Sequence, residues 1–521
     1  MAPYGANDSV EGSDMNKLAS LLIFMSLGMA SAQSATAKTG PFFDGPVFSS
    51  LIPPDENDFA SARELQQRMA NGEVTSVQLV ERALARIRAL DREGPNLHAV
   101  VEINPDALTI ANTLDQERAV GRLRGPLHGL PILLKDNIDT GDSMQTSSGS
   151  LALIGQPARE DAAVVKRLRQ AGAVVLGKAN GGELAGFRDW GIPLGWSGRG
   201  GQVRNPWGLN LAVCGSSAGP AVAVAAGFVS LSVGTETNGS LICPAHANLV
   251  VGLRPTLGLV SQAGLVPLSS WQDTPGPMAR TVTDIALLLG TMLEMDENTS
   301  RAAGGRHIDV DYLAKLDANA LLGRRLGYPR YRPDGSLTID HPHFSRLASV
   351  LEQAGATLVP VHMVIPDLFE EQIAVINHDL KRELGRYLQG RAGIEAQSLM
   401  DIIAFNREHP GPEGYGQGLL EGAQAQDLDE PAYWLMAHKL RNVPREMFDS
   451  VTRRHVLDAL LDLPDGDLRG AGAQAGYPGL HVPAGLDDSG QPVGMYFSGL
   501  PYTEVSLLTM GFAFEQALKV K

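Results

Sequence analysis

The stretch that most constrains this chain is residues 214–245, CGSSAGPAVAVAAGFVSLSVGTETNGSLICPA. Two clusters of small polar residues, Gly215-Ser216-Ser217-Ala218-Gly219 and Thr235-Glu236-Thr237-Asn238-Gly239-Ser240, bracket an uncharged, mostly apolar run from 221 to 233. A run of that kind has to be buried, and its texture divides into a helix over 220–227 and a strand over 228–233, with Gly227 between them. Glycine and hydroxyl clusters at the ends of buried elements are places where backbone N–H groups converge on a reacting atom. The competing reading is a Gly-rich core element with no chemistry.

The same order of helix, glycine and strand occurs upstream. Residues 159–170 put Val164, Val165 and Leu168 on one helical face, Ala171-Gly172 stops the helix, and 173–176 is an apolar strand. A turn-rich segment, 125–131, leads into the short strand Ile132-Leu133-Leu134, which ends at Lys135-Asp136-Asn137. Between 58 and 90, Leu65 and Met69, then Val77, Val80, Leu84 and Ile87, fall at helical spacing, with Asn71-Gly72 ending the first helix and Thr75-Ser76 capping the second. Further on, 281–284 caps a helix over 285–295, 480–483 and 494–497 are strand-like, and 505–518 is a closing helix. This alternation predicts an α/β layered architecture with an extensively covered sheet. Residues from about 330 to 460 are more polar and helical, interrupted by a Pro/Gly-rich loop over 410–418.

The net charge of −15 argues against nucleic acid or an anionic membrane as partner. Near the start, Met15-Asn16-Lys17, an apolar run over 18–29 and Ala30-Ser31-Ala32 have the order of an export signal, too short to span a bilayer. Residues 1–32 are accordingly expected to be an extension and signal, 33–57 a linker, and 58–521 the working domain, exported to the periplasm or medium. The alternative is an amphipathic or buried N-terminal helix. Cys214 and Cys243 are too few for a disulfide scaffold and are expected as small buried residues, although an exported protein permits their pairing. There is no H-E-x-x-H, no Cys/His ligand quartet and no G-x-x-x-x-G-K-[ST], so neither metal nor cofactor is expected.

Two nucleophiles compete. Gly215-Ser216-Ser217-Ala218-Gly219 fits G-x-S-x-G with Ser217 as an elbow serine, completed by a later Asp and His481. That reading leaves Lys135 and Thr237-Asn238-Gly239-Ser240 unused. The other reading uses them all. GPLHGLPILLKDNIDT (125–140), GWSGRGGQVRNPW (195–207), CGSSAGPAVAVAAG (214–227), GTETNGSLICPA (234–245), VVGLRPTLGLVS (250–261) and DTPGPMARTVTD (273–284) together resemble the amidase signature family, most closely its bacterial peptide-amidase-like branch. The resemblance runs from about residue 58 to 518.

The resemblance implies one large mixed central sheet covered by helices on both faces, in a single catalytic domain. It also implies a Ser–cis-Ser–Lys triad: Lys135 as base, Ser216 after a cis peptide as relay and Ser240 as nucleophile. The backbone N–H groups of Thr237, Asn238, Gly239 and Ser240 fall on the family's oxyanion loop, and Ser217 on a position that supports the lysine by hydrogen bonding. The chemistry is coherent in its own right. A serine needs an adjacent base, and a lysine serves only when neutral. An apolar strand end desolvates Lys135 and lowers its pKa, and strand alternation points Asp136 to the opposite face. His128 and His481 are expected to be structural, and Asn238-Gly239-Ser240 an accidental glycosylation sequon.

Departures from the family pattern are Asn238 in place of the branch's usual Asp, Leu184 where a tryptophan often stands, and a shortened segment after 461–467. The last two suggest an acyl-side pocket more open than that of peptide amidases. The expected substrate is a small-molecule or peptide linear amide, with a peptide C-terminal amide favoured. Aryl amides, esters and carbamates are the alternatives. More remote are a non-catalytic binding protein and an amidotransferase subunit; the oligomeric state stays open.

Overall fold

The computed structural model describes residues 51–53, 55–293 and 311–519, all within one compact unit. The expected export segment lies outside the described residues. Among those described, no helix is long and apolar enough to cross a membrane.

Eleven strands form one sheet: β1 Val100–Ile103, β2 Pro131–Lys135, β3 Val174–Ala179, β4 Leu231–Glu236, β5 Val251–Arg254, β6 Thr274–Ala279, β7 Arg325–Pro329, β8 Thr357–Val361, β9 Ala459–Asp462, β10 Gly479–Leu486 and β11 Pro492–Ser498. Their order is β1-β3-β2-β4-β6-β5-β10-β11-β9-β7-β8. The sheet is mixed. β2 runs parallel to both β3 and β4, whereas β4 and β6 are antiparallel.

Every residue of β2, β3 and β4 is buried, which is why their sequences are continuous apolar runs rather than alternating ones. The strand period still sorts them. Ile132 and Leu134 join the core shared with the helices Ala163–Gln170, Val282–Met292 and Glu504–Lys519, while Leu133 joins the core beneath α1, Ala218–Ala225. Lys135 comes next on the Leu133 side of the strand, and Asp136 on the other.

The predicted helix at 220–227 starts two residues earlier, because Ser217 rather than Gly219 stands at its N-cap. The strand after it begins at Leu231 instead of 228, since Phe228 closes the helix by donating its N–H to the Ala223 carbonyl. The helix expected from 285 starts at Val282, with the Thr281 hydroxyl capping the Asp284 N–H at 3.1 Å. The region from 330 to 460 is not wholly helical, because Thr357–Val361 forms the last strand of the sheet. Its helices are α2 Pro342–Gln353, α3 Phe369–Gln389, Leu399–Glu408, Gly418–Ala425 and α4 Glu430–His455, followed by α5 Leu468–Ala475. The short helix Ile242–Ala247 follows β4.

Candidate active site

Residues 214–245 fold back on themselves at the ends of β2 and β4. The Ser217 N–H donates to the Ser240 carbonyl at 3.2 Å, so the two polar clusters lie side by side. The peptide between Gly215 and Ser216 is cis, as the resemblance implies. Lys135, at the end of β2, is 2% exposed and places Nζ 2.6 Å from Ser216 Oγ and 3.0 Å from Thr235 Oγ1. Gly181 makes room for this approach, because a Cβ there would stand 2.5 Å from the Ser216 carbonyl oxygen and 3.1 Å from Lys135 Cε.

Burial lowers the Lys135 pKa to about 7, against the opposing pull of Asp273 and Glu236. Asp136 does not contribute, because strand alternation sends it elsewhere. There its carboxylate accepts from Arg199 Nη1 at 2.9 Å and from Gly149 N–H at 3.1 Å.

The second cluster forms a tight loop after β4. No hydrogen bond engages the backbone N–H of Thr237, Asn238, Gly239 or Ser240 among the described residues, and none engages the Ser240 hydroxyl. Four successive unengaged donors beside a serine form a constellation able to receive a developing oxyanion. The loop itself is firmly held. Glu236 Oε2 accepts from the N–H groups of Leu241 and Ile242 at 2.7 and 3.2 Å, and the buried Arg254 bonds Glu236 Oε1, the Glu236 carbonyl and the Thr237 carbonyl at 3.1–3.3 Å. Gly239 has φ +80° and lies against the Arg469 guanidinium, so both its backbone and its missing side chain serve the turn.

Ser217 departs from its expected role. It is fully buried, its hydroxyl donates to the Thr235 carbonyl at 2.8 Å, and it accepts from the Thr235 N–H at 3.1 Å. It therefore does not bond Lys135 directly. It pins Thr235, whose hydroxyl is the group that meets the amine, and Asn137 Nδ2 donates to that same hydroxyl at 3.0 Å. With its oxygen engaged and no exposure, Ser217 is also a poor candidate for an elbow nucleophile. Thr235 and Asn137 were not singled out from the sequence, although both lie inside the segments that carry the resemblance.

Cys214 and Cys243 are not isolated buried residues. They form a disulfide with Cα atoms 5.7 Å apart, because the turn after β4 brings the Ser240 side of the chain back over the start of the stretch. His128 and His481 are buried and bonded to the carbonyls of Leu114 and Val250, as expected of structural histidines. The Asn238 amide donates to Gln372 Oε1 on α3 at 3.0 Å. Leu184 is 3% exposed and packs with Phe187, Ile376 and Leu380.

Comparison with known proteins identifies the family. The family described as Amidase matches residues 78–462. A native peptide amidase from Stenotrophomonas maltophilia superposes with a TM-score of 0.84 at 43% identity, covering 89% of this chain and 98% of that one. A probable amidase of Arabidopsis thaliana is 37% identical over 469 residues, 89% of this chain and 90% of that protein. A putative amidase of Schizosaccharomyces pombe is 35% identical over 505 residues, 89% of this chain and 86% of that protein. The chain belongs to the amidase signature family, and it is a hydrolase acting on amide carbon–nitrogen bonds.

Proposed function

We propose that this enzyme hydrolyses linear amides through an acyl-enzyme on Ser240, with Ser216 as proton relay and Lys135 as base. The observation that carries the reading is the 2.6 Å contact between Lys135 Nζ and Ser216 Oγ, made by a lysine whose burial keeps much of it neutral at physiological pH. Neutral Lys135 accepts the Ser216 proton while Ser216 accepts that of Ser240, and Ser240 Oγ bonds to the substrate carbonyl carbon. The negative charge that moves onto the carbonyl oxygen meets the N–H groups of residues 237–240, each such donor being typically worth about 3 kcal/mol of barrier. The Lys135 ammonium then returns a proton through Ser216 to the leaving nitrogen as the carbon–nitrogen bond breaks. Water then gives a proton along the same route and bonds to the ester carbon; the bond from that carbon to Ser240 Oγ breaks, the proton returns through Ser216 to Ser240, and the acid leaves.

A peptide C-terminal amide is the favoured substrate, supported by the 43% identity to a peptide amidase over almost the whole domain. Export is proposed on the signal-like order of residues 15–32, and the disulfide is compatible with an oxidising compartment. The test is labelling with a fluorophosphonate followed by mass spectrometry. Wild type should carry the label on Ser240 and Ser240→Ala should carry none, and label on Ser217 would refute the assignment.

A further inference from the structure

Behind the loop of residues 237–240 runs a chain of buried hydrogen bonds that the reaction as described does not use. The Thr237 hydroxyl donates to Asp273 Oδ1 at 2.5 Å, and Asp273 Oδ2 accepts the N–H groups of Leu268 and Ser269 at 2.8 and 2.9 Å. The Ser269 hydroxyl continues to Asp379 Oδ2 at 2.7 Å, on α3. Asp379 Oδ1 accepts from the Tyr433 hydroxyl at 2.7 Å, and that hydroxyl accepts from Trp271 Nε1 at 2.8 Å. Asp379 and Ser269 are fully buried, Tyr433 is 1% exposed and Thr237 7%. Each of these contacts to a carboxylate oxygen comes from a donor, so neither carboxylate needs a proton to complete the network. The path joins helices α3 and α4 to the first residue of the loop without a hydrogen bond to Lys135, Ser216 or Ser240. The Asp273 charge does act on Lys135 through space, so Asp379, Thr237 and Tyr433 are the positions to vary rather than Asp273. On the same loop, Asn238 is tied to α3 a second time through Gln372.

We propose that Asp273 and Asp379 are positioning residues that aim the Thr237 N–H at the reacting carbonyl oxygen, so that the helical layer of α3 and α4 sets the quality of the oxyanion hole. The inference rests on the assignment of Ser240 and its loop given above. Buried carboxylates that merely held the fold together would affect substrate binding and stability. Carboxylates that aim a donor affect only the state in which negative charge has formed.

N-Acetyl-phenylalaninal and N-acetyl-phenylalaninol separate the two. Ser240 Oγ bonds to the aldehyde carbonyl carbon while its proton passes through Ser216 to Lys135, which leaves the former carbonyl oxygen as an oxyanion in the loop, whereas the alcohol only occupies the site. Wild type should bind the aldehyde more tightly than the alcohol by roughly 100-fold or more, the preference transition-state analogues show. Asp379→Asn and Thr237→Val should each cut that ratio about tenfold, with the alcohol affinity unchanged, kcat reduced in step and KM little moved. Thr237→Ser, which keeps the hydroxyl, should restore the ratio. Should Asp379→Asn fail to fold, Tyr433→Phe removes one bond to Asp379 while keeping the ring, and should lower the ratio about threefold. Equal weakening of both inhibitors, or an unchanged ratio in a folded variant, would overturn the proposal. A wild-type ratio near one would overturn the Ser240 assignment and this inference together.

Discussion

The sheet ends that carry Lys135, Ser216 and Ser240 and the helical layer over residues 369–455 are built on different principles. At the sheet ends these three side chains, proposed above to act together, are at most 8% exposed, and each sits on or beside an element buried on both faces. In the helical layer, large apolar side chains face solvent: Met400 at 59%, Trp434 at 44% and Leu435 at 72%. Its Phe369 lies against the likewise exposed Trp190 from the loop after β3, with the two rings tilted by 38°. The first region fixes distances, because close-packed strands leave no freedom to the groups at their ends. The second offers surface that can change with little cost to the fold. The proposed reaction needs sub-ångström placement, which the first region supplies; if the second sets amide preference, its substitutions should move relative rates on different amides and leave the chemical step alone.

The contrast is broken most forcefully at Ser240. Ser240→Ala should lower amide hydrolysis by at least about 10⁴-fold, the loss typical of removing a catalytic nucleophile. Leu435→Gln in the helical layer should leave kcat within about twofold and stability within about 0.5 kcal/mol. Steady-state kinetics and thermal melting of both variants decide it, and a comparable loss at both positions would erase the distinction.

Lys135 gives the next largest effect, with a sign that can be worked out. Its pKa in the folded protein is about 7, below its ordinary 10.5, so across that window the unfolded chain holds a proton that the folded chain has released. Stability from this group therefore rises with pH between about 7 and 10, and at neutral pH the buried amine is a net cost to folding. Lys135→Met should thus be nearly inactive yet melt several degrees higher at pH 7.5, with a flatter dependence on pH. In wild type, kcat/KM should fall tenfold for each pH unit below about 7 as the base protonates. An acid limb placed well away from pH 7 would show that a different group titrates.

The disulfide tests whether rigidity at the sheet ends depends on a covalent tie. It closes a loop of 29 residues around both serines, and its removal in a Cys214→Ser/Cys243→Ser double variant should cost about 2–4 kcal/mol of stability. Urea unfolding reads that loss directly. Because Ser217, Glu236 and Arg254 hold the two clusters independently, kcat should fall less than about threefold at temperatures where the variant stays folded.

The same contrast governs what the amino-acid pattern disclosed. The resemblance, carried by short motifs at an apolar strand end, a glycine-rich turn and a donor loop, pointed to Lys135, Ser216 and Ser240, and the fold sets Lys135 against Ser216 and lays the Ser240 segment beside the Ser217 segment. The direction of Asp136 followed from the strand period alone. Thr235 was named only as the first residue of a polar cluster, outside the expected strand; the strand runs on to Glu236, and the pairing of β2 with β4 turns the Thr235 hydroxyl toward the amine. The pairing of Cys214 with Cys243 was left open and disfavoured for a related reason, since it depends on how the turn after β4 folds back. The strand Thr357–Val361 was lost in polar surroundings, where its edge position leaves most of its residues partly exposed. Asp379 and Tyr433 lie far along the chain from the loop they reach, and nothing in their local sequence announces it.

The smallest effect sharpens the comparison where the two regions touch. Gln372, one turn into α3, accepts hydrogen bonds from Asn238 Nδ2 at 3.0 Å and from Gln474 Nε2 at 2.8 Å. Those bonds fasten the helical layer to the second residue of the donor loop. Removing the shared acceptor in Gln372→Ala frees the partly exposed Asn238 amide, and the space left by the glutamine side chain can admit water to it, so water can replace much of what is lost. The expected result is a fall in kcat of about threefold, with a change in relative rates on small and bulky acyl anilides that Leu435→Gln does not show. If Gln372→Ala altered neither rate nor acyl preference, the helical layer would act on the donor loop only through the buried path that ends at Asp273, and the surface contact would be packing alone.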